Sequence, residues 1–381
     1  MTAIYQIVLY DELGTRLAII DDYRSLQFKR TINGAGFFTL LLSDNDSKKP
    51  LFANNCLIEI KRKIPGVLDW YTEFTGYVEN MQSKVFQNGN TQFTVVGSGL
   101  NGLLTNRIIA YFEGTAEADK NAVSETVMKE FVSENIGILS LVSNGRFADG
   151  NLLNFTTDTD GANGDVWEGD RSGKNLLETL QEVSNFATID FAVETNGSVG
   201  SYIFKTYVGQ LGANRTTSGL DATTGLNSYG NAPHVFSPKR GNVQTSTVDE
   251  KHRKEKNRIY VYGQGTGATR EIVDSESATF DDTNYINLKE SMRGGGSQSS
   301  LAQLASKANE VLEDLKALEK FEIVPMDIPS SLYGVHFFLG DVVTIELSDV
   351  IGDKKIASVN ITLAGGKGES SKKFDFEDIA T

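Results

Sequence analysis

Residues Lys256 to Val273 read KNRIYVYGQGTGATREIV, and the interpretation of this stretch decides the fold class. A strand-like run, Arg258 to Tyr262, ends in glycines at alternate positions, Gly263, Gly265 and Gly267, after which Arg270-Glu271-Ile272-Val273 is extended again. A phosphate-binding loop would need a helix after the glycines, with free N–H groups aimed at the anion. No Gly-Lys-Ser/Thr follows, the spacing is G-x-G-x-G rather than G-x-G-x-x-G, and no βαβ pattern surrounds it. Glycines between two extended runs mark a turn or bulge, so the stretch reads as a β-hairpin or strand reversal.

The same pattern recurs along the chain. Among 381 residues there are 37 glycines and only 6 prolines, which predicts many tight turns and a mainly β fold. Leu26, Phe28 and Ile32 alternate with polar residues, Asn33-Gly34-Ala35-Gly36 turns the chain, and Phe37 to Leu42 follows as a strand. Leu57 to Ile60, Trp70 to Val78 and Phe93 to Val96 continue the series, with Asn88-Gly89-Asn90 between the last two. Strands this closely spaced predict a closed or nearly closed antiparallel barrel over 1–106.

From about 107 the period changes. Ala118, Ala122, Val123, Val127 and Phe131 predict a helix over Thr115 to Ile136. Leu176, Leu177, Leu180 and Val183 predict a second over Ser172 to Ala187, with Ser172 as N-cap. Ile189, Phe191 and Val193 form a strand that returns through Asn196-Gly197 to Tyr202–Val208. Residues 209–233 read as a long loop with few anchors. A third helix is expected from Ser300 to Glu319, with Leu301, Leu304, Ala308, Val311, Leu312, Leu315 and Leu318 on one face. Strands near Phe321, Phe337 to Ile345 and Ile356 to Leu363 close the chain. The expected fold class is mainly β with an α+β middle. Its divisions are 1–106 (β-barrel-like), 107–240 (α+β, with loop 209–233), 241–320 (hairpin plus helix, packed with the middle domain) and 321–381 (small β-domain).

Composition narrows the function classes. A formal charge of −14 argues against nucleic-acid binding as the main task, because phosphate neutralisation needs clustered Lys and Arg. The basic run Lys251 to Lys256 is short and contains Glu255; it reads as a solvated strand approach or a local salt-bridge patch at a subunit contact. The single cysteine, Cys56, shares a strand face with Ile58 and Ile60, a core role, and permits no intramolecular disulfide. Neither a signal peptide nor a membrane-spanning run is legible. The chain reads as made in a reducing cytoplasm.

Motifs that carry chemistry are few. In the acidic run Asp158 to Glu168, an EF-hand register started at Asp158 places Ala162, Asn163 and Gly169 where an oxygen ligand, glycine and glutamate belong. A solvated turn is the default there, with a looser divalent site as the competitor. His234, His252 and His336 lack zinc spacing. Gly97-Ser98-Gly99 lacks the outer glycine spacing of a nucleophile elbow and reads as a turn after Val95-Val96. Catalytic, cofactor-binding and metal residues are therefore all assigned as none, and no cofactor is expected.

Taken in order, these residues resemble a phage tail hub family, the siphovirus Gp37-like or baseplate-hub group. The similarity rests on Leu9-Tyr10-Asp11 with Gly14, Ile20 to Leu26, Gly34 to Leu40, Gly76-Tyr77-Val78-Glu79, Val95 to Leu100 and Arg107. Asn257 to Gly265 and Leu339 to Thr344 complete it. The resemblance implies two β-barrel-like tube domains plus a helix-containing domain. It also implies a homotrimeric ring that adapts a sixfold tail tube to a threefold tip, without enzymatic activity. Implied partners are a distal tail protein or tail-tube ring, a tape measure protein and a tip spike or fibre protein; DNA passes through the lumen without specific binding, and the chain does not insert in a membrane. The implied place is the virion tail tip, after synthesis in the bacterial cytoplasm. Three copies at −14 each carry −42, and an acidic lumen would repel DNA. The sequence ends soon after its last β segment, so wall-cleaving or receptor-binding activity is expected on a separate partner. The alternatives are a tail-tip receptor- or carbohydrate-binding module using the long loops with Trp167 and Tyr229, and a hydrolase with undiagnosed carboxylates.

Overall fold

A computed structural model of the chain describes residues 3–110, 118–281, 283, 285–295, 301–316, 318–347, 351–365 and 368–379. The first strands are β1 (Ile4–Tyr10), β2 (Arg16–Ile20), β3 (Ser25–Thr31), β4 (Phe37–Leu42), β5 (Leu57–Ile64), β6 (Leu68–Val85) and β7 (Thr91–Gly99). Then come α1 (Gly102–Thr105), β8 (Asp119–Val123), α2 (Ser124–Asn135), β9 (Phe155–Thr157), β10 (Val166–Asp170), α3 (Leu176–Ala187), β11 (Ile189–Thr195) and β12 (Tyr202–Val208). The remainder is β13 (Asn214–Arg215), β14 (Val235–Phe236), β15 (Val243–Lys251), β16 (Arg258–Tyr262), β17 (Ile272–Glu276), β18 (Glu290–Gly294), α4 (Leu301–Asp314), β19 (Leu318–Pro325), β20 (Val342–Glu346), β21 (Ile351–Ala364) and β22 (Glu369–Glu377).

These elements fall into two compact units, Met1–Thr245 with Ile323–Thr381, and Ser246–Glu322. This grain is coarser than the four segments expected from the sequence.

The larger unit is organised by the strands β22-β21-β3-β4-β7-β6-β5-β1-β2, with β20, β13 and β14 branching from β21; the 14-stranded path as a whole runs from β2 to β15. The fold is mainly β, as expected, but the expected barrel closure is corrected. Among the described residues the path is open, with β2 at one end and β15 at the other. The strands that were to close a barrel on themselves instead continue into the C-terminal strands. Leu26 and Phe28 of β3 stand opposite Leu363 and Ile361 of β21, so the first and last β segments share one sheet. Alternation supplies the sheet's core side chains: Leu26, Phe28, Phe38, Leu40, Val95 and Ile361 are buried while their neighbours are half-exposed.

A second layer packs α2 and α3 with the antiparallel pair β8–β10 and the three-stranded sheet β11-β12-β9. The expected helix from Thr115 is corrected here. Residues 111–117 lie outside those described, and Asp119–Val123 is a strand paired with β10, Ala122 standing opposite Trp167. The helix begins at Ser124, whose hydroxyl donates to the Asp165 carbonyl at 2.7 Å. The second helix also starts later than expected. Asn175, not Ser172, is the N-cap, and its side chain accepts from the N–H groups of Leu177 and Glu178. Ser172 instead accepts from the Ala118 N–H and donates to Asp170. The apolar stripe is as expected: Leu176, Leu177, Leu180 and Val183 are buried, each worth about 1.5–3 kcal/mol.

The smaller unit contains the glycine-rich hairpin of residues Lys256 to Val273. β16 is antiparallel to β17, Val261 opposite Val273, and parallel to β18 on its other side. Gly265 sits at φ 97°, a left-handed turn position that favours glycine. Ile259 and Val261 face α4, whose Leu304 and Ala308 are fully buried. The expected third helix is shorter than its apolar pattern. It ends at Asp314, and Leu318 belongs to β19.

Candidate functional site: a buried ionic junction and its exposed margins

The chain's most heavily constructed polar site joins strands from both ends of the sequence. On β5 the residues Ile58, Ile60, Arg62 and Ile64 share one face, so a guanidinium stands where alternation calls for an apolar side chain. Arg62 is 1% exposed. Its Nε donates to Tyr5 Oη at 2.8 Å, Nη1 to the Tyr333 carbonyl at 2.8 Å, and Nη2 to Glu369 Oε1 at 3.0 Å. Beside it, Glu73 accepts from Arg30 at 2.8 Å, from Tyr333 at 2.8 Å and from Tyr71 at 2.6 Å. Lys372, on the face of β22 that carries Phe374 and Phe376, bonds Asp327 at 2.5 Å and Glu369 at 3.1 Å.

Burial works against these charges, and the neighbours reverse the outcome. The Arg62 pKa is raised because burial, which lowers it, is outweighed by Tyr5, Glu369, Tyr71 and Glu73. The Glu369 carboxyl is lowered for the mirrored reason: burial raises it, while Lys372 and Arg62 hold it ionised. Tyr5 and Tyr333 are pushed well up, by burial first, and stay protonated as donors. A network satisfied to this extent fixes register and orientation rather than performing chemistry.

A second junction docks the β3–β4 turn into the α/β layer. Asn33, at φ 54°, donates to Ser184 Oγ (2.8 Å) and Asp190 Oδ1 (2.9 Å) and accepts from the Phe191 N–H (2.7 Å). Asn101 bridges the Gly34 carbonyl and the Val193 N–H. Between these contacts lies a cleft of about 360 Å³, bordered by Arg30, Glu73, Asn101, Glu194 and Leu339.

The residues singled out in the sequence are scattered. Asp158 pairs with Lys129 at 2.8 Å, Asp160 accepts from Thr126, and Glu125 accepts from Asn163 and Thr206, so the acidic loop is tied to α2. Burial alone raises the Glu125 carboxyl, but Lys129, Asn163 and Thr206 hold it at about 2. His234 is stacked on Phe337, ring centroids 4.4 Å apart, and burial pushes it down to about 3. His336 Nδ1 accepts from the Leu332 N–H. In the basic run, Glu255 is buried and bonded by His252 and Lys289. Cys56 is buried, and burial raises its thiol.

Three expectations are corrected. Gly97-Ser98-Gly99 is not a turn but the end of β7, where it pairs with β4 and β6; a side chain at Gly97 would strike the Tyr77 carbonyl at 1.9 Å. Trp167 is not exposed; it is 5% accessible and packs edge-on against Phe131. Loop 209–233 is anchored: Arg215 pairs with Asp341 at 2.8 Å, and Asn227 donates to the carbonyls of Asn214 and Thr216. Sequence reasoning missed Arg62 altogether, although a cation on the apolar side of β5 was the signal that could have found it.

The margins of the larger unit are less self-contained. Residues 79–90, the outer β6–β7 hairpin, are all exposed. β2 pairs only with β1, and its Leu17 and Ile19 face solvent. Among the described residues no helix is long and apolar enough to cross a membrane.

Residues 6–370 match the profile of the family described as Siphovirus ReqiPepy6 Gp37-like protein. None of the curated proteins matches the chain. Among solved structures, the chain is similar to the tail protein from Neisseria meningitidis MC58 at 11% identity and TM-score 0.57, covering 98% of this chain and 96% of that one. The 43 kDa tail protein of prophage MuSo2 from Shewanella oneidensis is 12% identical with TM-score 0.57, over 98% of each chain. A chain of the half-lidded Francisella PdpA-VgrG complex is 12% identical with TM-score 0.52, over all of this chain and 58% of that one. At these identities the likeness is one of fold.

Proposed function

The chain belongs to the Siphovirus ReqiPepy6 Gp37-like family, a family of phage tail proteins, and from that premise we propose that it is the hub of a tail tip. Three copies form a ring that adapts the sixfold tail tube to a threefold tip and surrounds the DNA path. The ring is bounded by a distal tail protein or tube ring, the tape measure protein and a spike or fibre protein. Its role is structural, and no catalytic step is assigned to any residue.

The observation that carries this reading is the extent of the family match, 365 of the chain's 381 residues, on a fold shared end to end with tail proteins. The stiffness such a ring requires is supported by the Arg62 network, which ties β1, β5 and β6 to β22. The acidic surface suits a DNA path along which phosphates are repelled rather than bound. The likeness to a chain of a complex containing VgrG supports a spike-like partner.

Electron microscopy of the purified protein tests the proposal. Class averages with threefold symmetry and an open centre are the expected result. Particles of one chain with no ring at any concentration would contradict it, as would binding of a host polysaccharide by single chains, which belongs to the receptor-binding alternative.

A further inference from the structure

Half-buried and buried arginines in this chain generally have a carboxylate: Arg30 has Glu73, Arg62 has Glu369, Arg171 has Glu182 and Arg215 has Asp341. Arg107 and Arg146 do not. Among the described residues neither guanidinium has a carboxylate at ion-pair distance, and the Nε of each is enclosed without a hydrogen-bond partner. Arg146 bonds only the Ser140 hydroxyl, at 2.8 Å. The two are neighbours: burial first, and then the Arg107 charge, lowers the Arg146 pKa.

They share one end of the α/β layer. The Ala110 N–H donates to the side chain of Asn135, the last residue of α2, and the loop from Ile136 onward returns through the Leu152 N–H to the Ile136 carbonyl. On this end the chain exposes Ile108, Ile138, Val142, Phe147 (80%) and Leu153 (65%). Two unpaired cations amid exposed apolar side chains describe a surface built to receive carboxylates beside an apolar strip.

The same unit presents the complement. Among the described residues β2 is an edge strand paired on one side alone; Leu17 and Ile19 are exposed along it, and Leu13 is exposed just before it. Glu12 and Asp21 flank it, both exposed and, among the described residues, without an ion-pair partner. Asp22 is already bonded to Lys48 at 2.6 Å, and Arg16 is the one cation on the strand.

We propose that the Arg107–Arg146 surface of one copy receives the β2 edge of the next, with Glu12 and Asp21 opposite the two guanidiniums and Leu17 and Ile19 against Phe147 and its apolar neighbours. The contact joins two different patches head-to-tail, and its repetition gives a ring where the rotation between copies closes and an open filament where it does not. This rests on the ring reading above and gives that ring its subunit contact.

The test is a charge exchange read by light scattering, with the melting transition of each variant as a fold control. Wild type is expected at the mass of three chains. Arg107→Glu/Arg146→Glu and Glu12→Arg/Asp21→Arg are each expected at one chain, and the variant carrying all four changes is expected to recover three. Phe147→Glu, at a side chain too exposed to be needed for folding, is expected to lose the three-chain species as well. A wild type at three chains whose variants all remain at three would overturn this contact and leave the ring standing. Single variants that dissociate with no recovery in the fourfold variant would equally overturn the pairing. A wild type that never exceeds one chain would remove both the contact and the ring.

Discussion

Arg62 on β5 and Glu369 on β22 stand 307 positions apart in the chain, and Arg62 Nη2 lies 3.0 Å from Glu369 Oε1. Both are nearly inaccessible, so the pair holds two distant strands of one sheet in a single register. Replacing Arg62 with Met leaves the buried Glu369 carboxylate to Lys372 alone and strips the Tyr5 hydroxyl and the Tyr333 carbonyl of their donor. The expected loss is about 3–5 kcal/mol, read by urea unfolding. Arg62→Met with Glu369→Met is expected to recover part of that loss, because the residual charge is removed along with its partner. A single change that costs under about 1 kcal/mol would show that the network does not lock the sheet.

His234 makes the acid response specific. An unfolded histidine titrates near 6.5 (about that value for an unperturbed imidazole), whereas His234 titrates at about 3. Between those values the unfolded chain holds a proton that the folded chain lacks, so stability falls as pH drops from about 6.5 towards about 3. The slope from this group is at most ~1.4 kcal/mol per pH unit. Melting temperatures measured from pH 7 to 4 should fall less steeply in His234→Gln than in the wild type. Parallel curves would show that His234 does not carry this part of the response.

Gly97 is required by packing rather than by backbone freedom. Its missing Cβ would lie 1.9 Å from the Tyr77 carbonyl and 2.5 Å from the Phe38 ring. Gly97→Ala should therefore destabilise by about 1–3 kcal/mol or more, the range for overpacked cores. Gly352→Ala, where a Cβ meets nothing within 4 Å, serves as the comparison and should be nearly silent in the same thermal assay. Equal effects at both sites would refute the close β6–β7 approach.

Leu304 tests the division into two units. It is fully buried in the small core with Ile259, Val261 and Ala308. Leu304→Ala should cost that unit about 2–5 kcal/mol. Hydrogen exchange is expected to quicken over Ser246–Glu322 while the sheet strands β3, β4 and β7 keep their protection. Uniform loss of protection across the chain would mean the two units unfold as one.

Local pattern carried much of this architecture. The alternation around Leu26 and Phe28, the stripe Leu176 to Val183 and the glycine-rich reversal after Tyr262 each predict the element found. What pattern could not carry is partnership over distance. Nothing local to Ser25–Thr31 announces that its second neighbour is β21, and so an expected barrel becomes an open sheet. Ala122 and Val123 fit a helical spacing, yet they lie in a strand because β10 offers Trp167 and Val166 as cross-strand partners. Trp167, a candidate for exposed binding by residue type, is enclosed by Phe131 and the Arg171 guanidinium. Arg107 and Arg146 illustrate the same limit. That neither has a carboxylate partner among the described residues is visible only once the other pairs have been placed.

Whether three copies close into the proposed ring is decided by the solution mass measured by light scattering over a concentration series. One chain is 41.6 kDa. A ring of three gives a species of three times that mass which persists on dilution into the low micromolar range. A single-chain mass throughout the series, with the melting transition intact, would contradict it.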